Sequence, residues 1–384
     1  MFEARSPVGY DQMSSAVIPE EIRGHRFVEF DSLRGLAAGT VVLHHILRLW
    51  EGSRVEQWVR ASPAAVVVNG SAAVVLFFVL SGFVLTLPYK LGRAPTYGIY
   101  LLKRCCRIYL PYAASLFVAL AVLKLVREPV YTGAIQYDQP WNAGIDWHLV
   151  LKHLMAIDNF DFNAYDPPYW TLVIEMRISL VMPLIAFLAL RSRFFPGLLL
   201  GITTNFAAWY AKRFVSHGLV LQILDAGTLF YIGSLLATNF DSVARSYRAS
   251  ARWVRWLLMM LALSLYGFLG RIAPGIPPIG NMMLGCGCVI LLLAASQSTR
   301  IRHILHHPMV LRLGEVSYSL YLVHMIVLLA IVHSYWGRVS MLAMLPVMIS
   351  CTYIGAELFH RCIELPTIKL GRRLERTLSP SRSS

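Results

Sequence analysis

Within the first long apolar run of this chain stand two groups that hydrocarbon does not welcome, Arg34 and His45, eleven positions apart. On an α-helix, eleven steps of about 100° come to roughly 20° beyond three full turns, so both side chains share one face, about 16 Å apart along the axis. An imidazole at such a depth is a candidate proton acceptor, and a guanidinium a candidate holder of negative charge. Ionisable groups inside a membrane are costly and mark function by default. Each also has a plainer reading: Arg34 snorkelling to headgroups, His45 a hydrogen-bonded packing residue. The shared face favours treating them as a pair. His44 points about 100° away from His45 and is the weaker candidate.

Four further segments carry chemistry. Arg104 and Arg107 are spaced i, i+3 at the mouth of the third apolar run, a geometry suited to forking onto phosphates, or to plain charge anchoring. Trp170-Thr-Leu-Val-Ile-Glu175-Met-Arg177 opens the fourth run. There Glu175 either pairs with Arg177 or faces inward as an acid, a base or a sugar ligand. Ser81-Gly82 in the second run either permits close helix packing or lines a site. In the ninth run, Ser317, Tyr318, Ser319, Tyr321 and His324 put polar groups on more than one face, with His324 near mid-membrane.

These groups need helices to hold them, and the composition supplies helices of one kind. Of 384 residues 57% are hydrophobic and only 15% charged, and the mean hydropathy is +0.56. A soluble domain carries about 25% charged residues, so this chain lacks the polar surface to stay in water. Ten runs of about 20 apolar residues recur, at roughly 31–50, 64–88, 107–126, 171–190, 194–211, 218–237, 253–271, 277–296, 314–333 and 341–363. The fifth is weakened by Asn205, and the eighth by Pro277, Pro278 and glycines. Lipid leaves no partner for unpaired backbone groups, so such long runs must be helices. The expected fold is all-α, a polytopic membrane protein with about ten transmembrane helices.

The net charge of +14 raises the thought of nucleic acid. Its distribution answers otherwise: loops on the side of the N-terminus hold 21 lysines and arginines against 8 on the other side. That asymmetry places both termini in the cytoplasm, explains the charge through topology and anionic lipid, and leaves no call for a nucleic-acid partner. Six cysteines make no disulfide framework, and no spacing reads as a zinc or haem site, so no metal is expected. Residues 1–26 lack the apolar core of a signal peptide and read as a cytoplasmic tail. The stretch 127–170, with Trp141, Trp147, Tyr165 and Trp170, reads as an interfacial aromatic belt or a sugar-stacking surface. Within it, 147–157 suits a short amphipathic helix. No internal repeat is visible, which counts mildly against a secondary transporter. The end, 371–384, reads as a frayed cytoplasmic tail.

Taken in order, six segments resemble the acyltransferase-3 family of integral membrane acyltransferases. Phe30-Asp31-Ser-Leu-Arg34-Gly, followed by ten residues and His45, is similar to the family's opening run. Phe77-Phe78-Val-Leu-Ser81-Gly82-Phe83, Arg104-Cys-Cys-Arg107-Ile-Tyr-Leu-Pro111 and Trp170 through Glu175 resemble its next three elements. Gly314 through His324 and Ile363-Glu364-Leu-Pro366 resemble its closing ones. Ser179 stands where the family commonly has an aromatic, and Arg177 is unusual. The resemblance covers 27–370, with no esterase-like domain after the last span.

The resemblance implies an O-acyltransferase that moves an acyl group, acetyl above all, from cytoplasmic acyl-CoA to a hydroxyl of an extracytoplasmic glycan or glycolipid. It implies His45 as general base, Arg34 as donor-orienting or oxyanion-stabilising, and Glu175 as binding the acceptor or orienting His45. Arg104 and Arg107 would receive CoA phosphate, with Ser81, Trp170, Tyr318 and His324 contacting substrate. The location implied is the inner (cell) membrane. The rival reading is a transporter or flippase for a lipid-linked glycan, which has no evident need for the Arg34–His45 and Arg104–Arg107 combination.

Overall fold

The structure is a computed structural model that describes residues 27–126, 130–142, 144–156, 160–214, 219–272 and 277–378; the proposed N-terminal tail, 1–26, lies outside them. Among the described residues the ordered elements are helices, without a strand. Ten long helices follow the ten apolar runs. They are α1 (Val28–Leu47), α2 (Gly70–Lys90), α3 (Tyr97–Leu125), α4 (Tyr169–Arg191), α5 (Phe194–Ala211), α6 (Leu219–Ala249), α7 (Arg252–Ile272), α8 (Pro277–Gln297), α9 (Ser317–Tyr335) and α10 (Met341–Leu378).

Within the described residues seven of them, α2, α3, α4, α6, α8, α9 and α10, are long and apolar enough to cross a membrane. The chain is an integral, multi-pass membrane protein, and the count of ten spans is approximate. α1 falls short of that apolar threshold, and its sequence shows why: Asp31, Arg34, His44 and His45 lower its apolar average. α5 falls short too, carrying Asn205. Asn205 is fully buried and gives its amide N–H groups to Asp225 and Thr228 on α6.

The core forms around α2 and α6, which cross at glycines. A Cβ built on Gly82 would stand 1.9 Å from the carbonyl oxygen of Phe230, and one on Gly233 would stand 1.9 Å from that of Val79. Without a hydrophobic drive between helices in lipid, such close backbone approach supplies the packing energy. Gly82 is therefore a packing residue, while its neighbour Ser81 turns to a cavity. Thr86 adds a hydroxyl bond of 2.8 Å to Ser234 across the same seam.

Two helices carry a π turn, Cys105–Tyr109 in α3 and His360–Glu364 in α10. Each is followed by a proline, Pro111 and Pro366, four residues beyond a residue of the turn. Proline has no N–H to give to the carbonyl four residues back, and its ring crowds that carbonyl, so the helix widens locally. α3 also begins ten residues earlier than its apolar run, at Tyr97. Arg104 and Arg107 thus sit well inside the helix rather than at its mouth. Beyond the second π turn α10 continues as a helix to Leu378, where a frayed tail was expected from residue 371.

Between α3 and α4 the described part of 130–168 folds down onto the bundle. Tyr137 donates to the carbonyl of His45 at 2.9 Å, and Trp141 donates through Nε1 to that of Tyr165 at 2.9 Å. Val130 N–H reaches His333 Nδ1 on α9 at 3.0 Å. Trp141 and Tyr165 are therefore buried packing residues rather than an interfacial belt, whereas Trp147 and Trp170 are exposed. Trp147–Met155 forms the short helix expected there, capped by Asp146.

Candidate functional site

Two cavities lie back to back in the bundle. The first, about 430 Å³, opens between α1, α2, α3, α4 and α9, and its lining changes character along its length. Phe77, Phe78, Leu85 and Leu172 make an apolar barrel, and Arg34, Arg93, Lys103, Arg104 and Arg107 bring positive charge. Two carboxylates, Glu175 and Glu375, oppose five cations. The second cavity, about 350 Å³, is lined by His44, His45 and Arg48 from the end of α1, by Gln136 and Gln139 from the loop, and by Trp170. Val74 of α2 and Tyr321 of α9 belong to both linings and form the wall between them.

Arg34 and His45 thus occupy one helix face as expected, but open into different cavities. Arg34 is held by Asp31 one turn earlier, at 3.0 Å. His45 is buried to 9% exposure, and its Nδ1 meets Gln136 Oε1 at 2.9 Å. With the amide oxygen of Gln136 as acceptor, Nδ1 carries the proton and Nε2 keeps its lone pair, with no hydrogen bond among the described residues. That is the tautomer a base needs. His44 also reaches the second cavity, its Nδ1 bonded to the Val68 carbonyl at 3.0 Å, so turning 100° from His45 does not remove it from the site.

His324 lines neither cavity but lies behind His45, with ring centroids 5.1 Å apart. Its Nδ1 contacts the carbonyls of Tyr321 at 2.8 Å and Leu320 at 3.2 Å. Both partners only accept, so Nδ1 bears the proton, while the buried Nε2 has no partner among the described residues.

Glu175 departs from the expected layout. Instead of lying beside His45, or pairing with Arg177, it accepts from Arg104 Nη2 at 2.9 Å in the first cavity, with Ser81 Oγ at 3.4 Å. The reason is the depth of Arg104 in α3. Arg177, two residues on, turns to the opposite side of α4 and donates to the Ala156 carbonyl at 3.0 Å and to Gln222 at 2.7 Å. Ser179, where an aromatic is common, accepts from Arg104 at 3.0 and 3.1 Å and so completes its cradle.

Arg107 also opens into the first cavity, near Arg34 and Arg104, and makes no hydrogen bond or ion pair among the described residues. Tyr318 lines the same cavity and donates to the Ile108 carbonyl inside the π turn at 2.8 Å. Trp170 lines the second cavity with its side chain partly exposed. The structure therefore gathers Arg34, Ser81, Arg104, Arg107, Glu175 and Tyr318 in the first cavity and His45 and Trp170 in the second.

Several neighbours carried no signal in the sequence. Gln136 is 91 positions from His45, and Glu375 reaches the first cavity from the end of α10, ion-paired with Lys103 at 3.0 Å. Thr171 bonds the Tyr321 hydroxyl at 2.6 Å. Among the described residues no group of three or more His, Cys, Asp or Glu is placed to hold a metal.

The comparisons agree with this architecture. The model of an acyltransferase domain matches residues 27–360. The chain is 26% identical over 377 residues to Nodulation protein 10 of Rhizobium leguminosarum bv. viciae, covering 92% of this chain and 96% of that one. It is 25% identical over 355 residues to the O-acetyltransferase PaAT-1 of Phomopsis amygdali, covering 77% and 70%. No solved structure matches. With the family's domain spanning most of the chain, this protein belongs to the acyltransferase-3 family and is an enzyme that transfers acyl groups.

Proposed function

We propose that the protein is an O-acyltransferase that takes an acyl group, acetyl in the first instance, from acyl-CoA in the first cavity and delivers it to a hydroxyl in the second. The observation that carries this reading is the pair of cavities meeting at Val74 and Tyr321, one cationic and apolar, the other holding a histidine with a free lone pair. The name O-acetyltransferase borne by the Phomopsis relative supports oxygen as the accepting atom. A nucleotide with phosphates and a long thin arm suits a barrel with five cations. Arg107, without a hydrogen-bond or ion-pair partner among the described residues, is the first choice for phosphate, and Arg104, cradled by Glu175 and Ser179, the second.

In the transfer itself, His45 Nε2 takes the proton of the acceptor hydroxyl as its oxygen attacks the thioester carbonyl carbon. The new C–O bond forms, negative charge collects on the carbonyl oxygen, and collapse breaks the C–S bond. The CoA sulfur leaves with the electron pair and recovers a proton from the imidazolium, so no charge accumulates. Arg34 stands on the donor side, about 16 Å along α1 from His45, and orients the donor there by its charge. Glu175 acts by holding Arg104. Trp170 offers a ring face to a sugar, which fits a glycan or glycolipid acceptor.

The excess of basic loops supports placing the first cavity toward the cytoplasm, with both termini there, in the inner (cell) membrane. On this reading 27–370 is the catalytic domain. The test is mass spectrometry of surface glycans from cells with wild-type protein or a His45→Ala variant that reaches the membrane. Loss of the acyl mass increment in the variant is expected, and undiminished acylation would remove His45 from the mechanism.

A further inference from the structure

The acyl group has to pass from a cavity that holds Arg107 to one that holds His45, and the wall it meets is made of two side chains. Val74 projects from α2 and Tyr321 from α9, and each lines both cavities. Tyr321 is tied down. Its hydroxyl is hydrogen-bonded to Thr171 Oγ1 at 2.6 Å and lies 3.5 Å from the Pro168 carbonyl, which Thr171 Oγ1 also reaches at 3.0 Å. Its ring meets Phe77 edge-on at 5.6 Å and lies 5.8 Å from His324. A ring so fixed cannot swing aside cheaply, and opposite it stands a β-branched side chain with little rotamer freedom.

We infer that Val74 and Tyr321 form a sieve that sets the longest acyl chain the enzyme transfers, with the Thr171 tether keeping the aperture narrow. This rests on the acyl-CoA reading above. The first cavity is otherwise roomy, lined by Phe77, Phe78, Leu85 and Leu172, and would accept chains far longer than acetyl. Selection therefore falls on the wall. Each methylene a pocket must admit or refuse is worth about tenfold or more in kcat/KM.

The test uses membrane vesicles from cells expressing the full-length protein, which carry its natural acceptor. Release of CoA thiol above a His45→Ala background is measured with acetyl-, propionyl-, butyryl- and hexanoyl-CoA. Val74→Ala, which removes two methyl groups from the wall, is expected to raise the butyryl-to-acetyl ratio of kcat/KM about tenfold or more. Val74→Leu is expected to lower the propionyl-to-acetyl ratio. Thr171→Val, which cuts the tether without touching the aperture, should shift the ratio in the direction of Val74→Ala by a smaller factor. A structural role alone would scale all four donors together, and that result in the variants that fold overturns the sieve. Release from no donor by the wild-type protein overturns the acyl-CoA reading beneath it, whereas release with unmoved ratios overturns the sieve alone.

Discussion

Arg104 Nη2 stands 2.9 Å from Glu175 Oε1, which joins α3 to α4 inside the bundle and aims one of the four arginines of the first cavity. Both side chains are about five-sixths buried, so each has left most of its hydration behind. Removing one partner leaves the other charge poorly solvated, which costs roughly 3 kcal/mol, whereas removing both costs less. Glu175→Ala should therefore lower thermal stability in detergent more than the Arg104→Ala, Glu175→Ala pair does. A double variant as unstable as the sum of the singles would show that the two do not act through one another.

Gln136 reaches His45 from the segment between α3 and α4, beside Tyr137, which is buried in the core. Gln136→Ala should leave the donor KM unchanged and lower kcat about tenfold, because the imidazole loses the group that fixes its tautomer. His45→Ala should cost about a hundredfold or more in kcat. Steady-state rates at saturating donor check both, and a Gln136→Ala enzyme with wild-type kcat removes the orienting role.

Glu375 brings a carboxylate to a cavity that has to receive phosphate, and it neutralises Lys103 at 3.0 Å. It comes from the helical end of α10, beyond the family's matched region, where Gly371 packs closely on Cys106. Glu375→Gln keeps the shape and removes the competing charge. The donor KM is expected to fall about two- to fivefold, most clearly at low ionic strength, since exposed charges are screened by salt. A KM unaffected at 20 mM as at 300 mM salt, both about those values, contradicts the competition.

His153 sits outside the spans, fully buried, against Tyr112, Phe160 and Tyr165. Burial holds its imidazole down from 6.5 to about 4, against a smaller upward pull from Asp161. The folded state then binds this proton less readily than the unfolded chain. Its contribution to stability is complete above pH 6.5 and is lost as pH falls toward 4. Asp166, also buried in this loop, is pushed up by burial and has the opposite slope, so the wild-type curve alone does not isolate His153. The comparison with His153→Phe does, because Asp166 titrates in both. The melting temperature of wild type relative to the variant should drop by about 2 °C or more between pH 7 and pH 5. A constant difference would place the proton elsewhere.

Much of this was legible in the residues themselves. Long apolar runs fixed the helices because lipid permits little else, and the 100° rotation per residue put Arg34 and His45 on one face. That they open into different cavities was not legible, since it depends on Val74 and Tyr321 arriving from two other helices. Nor was the Arg104–Glu175 pair: its register is set by where α3 begins, and Lys103, Arg104 and Arg107 interrupt the apolar signal between that start at Tyr97 and the run that follows. The π turn ahead of Pro111 has a local cause, a missing N–H, yet proline alone also permits a kink or a helix end. Gln136 came from a loop whose contacts are tertiary throughout.

Proteoliposomes in which donor and acceptor are kept on opposite sides test the central claim most directly. Radiolabelled acetyl-CoA is supplied on the face of the basic loops, with an acylatable glycan sealed on the other. Label should appear on the glycan across the bilayer, with one free CoA thiol released on the donor side per transfer, and Arg107→Ala should raise the donor KM. Label transferred only when donor and acceptor share one face would contradict a path through the wall between the two cavities.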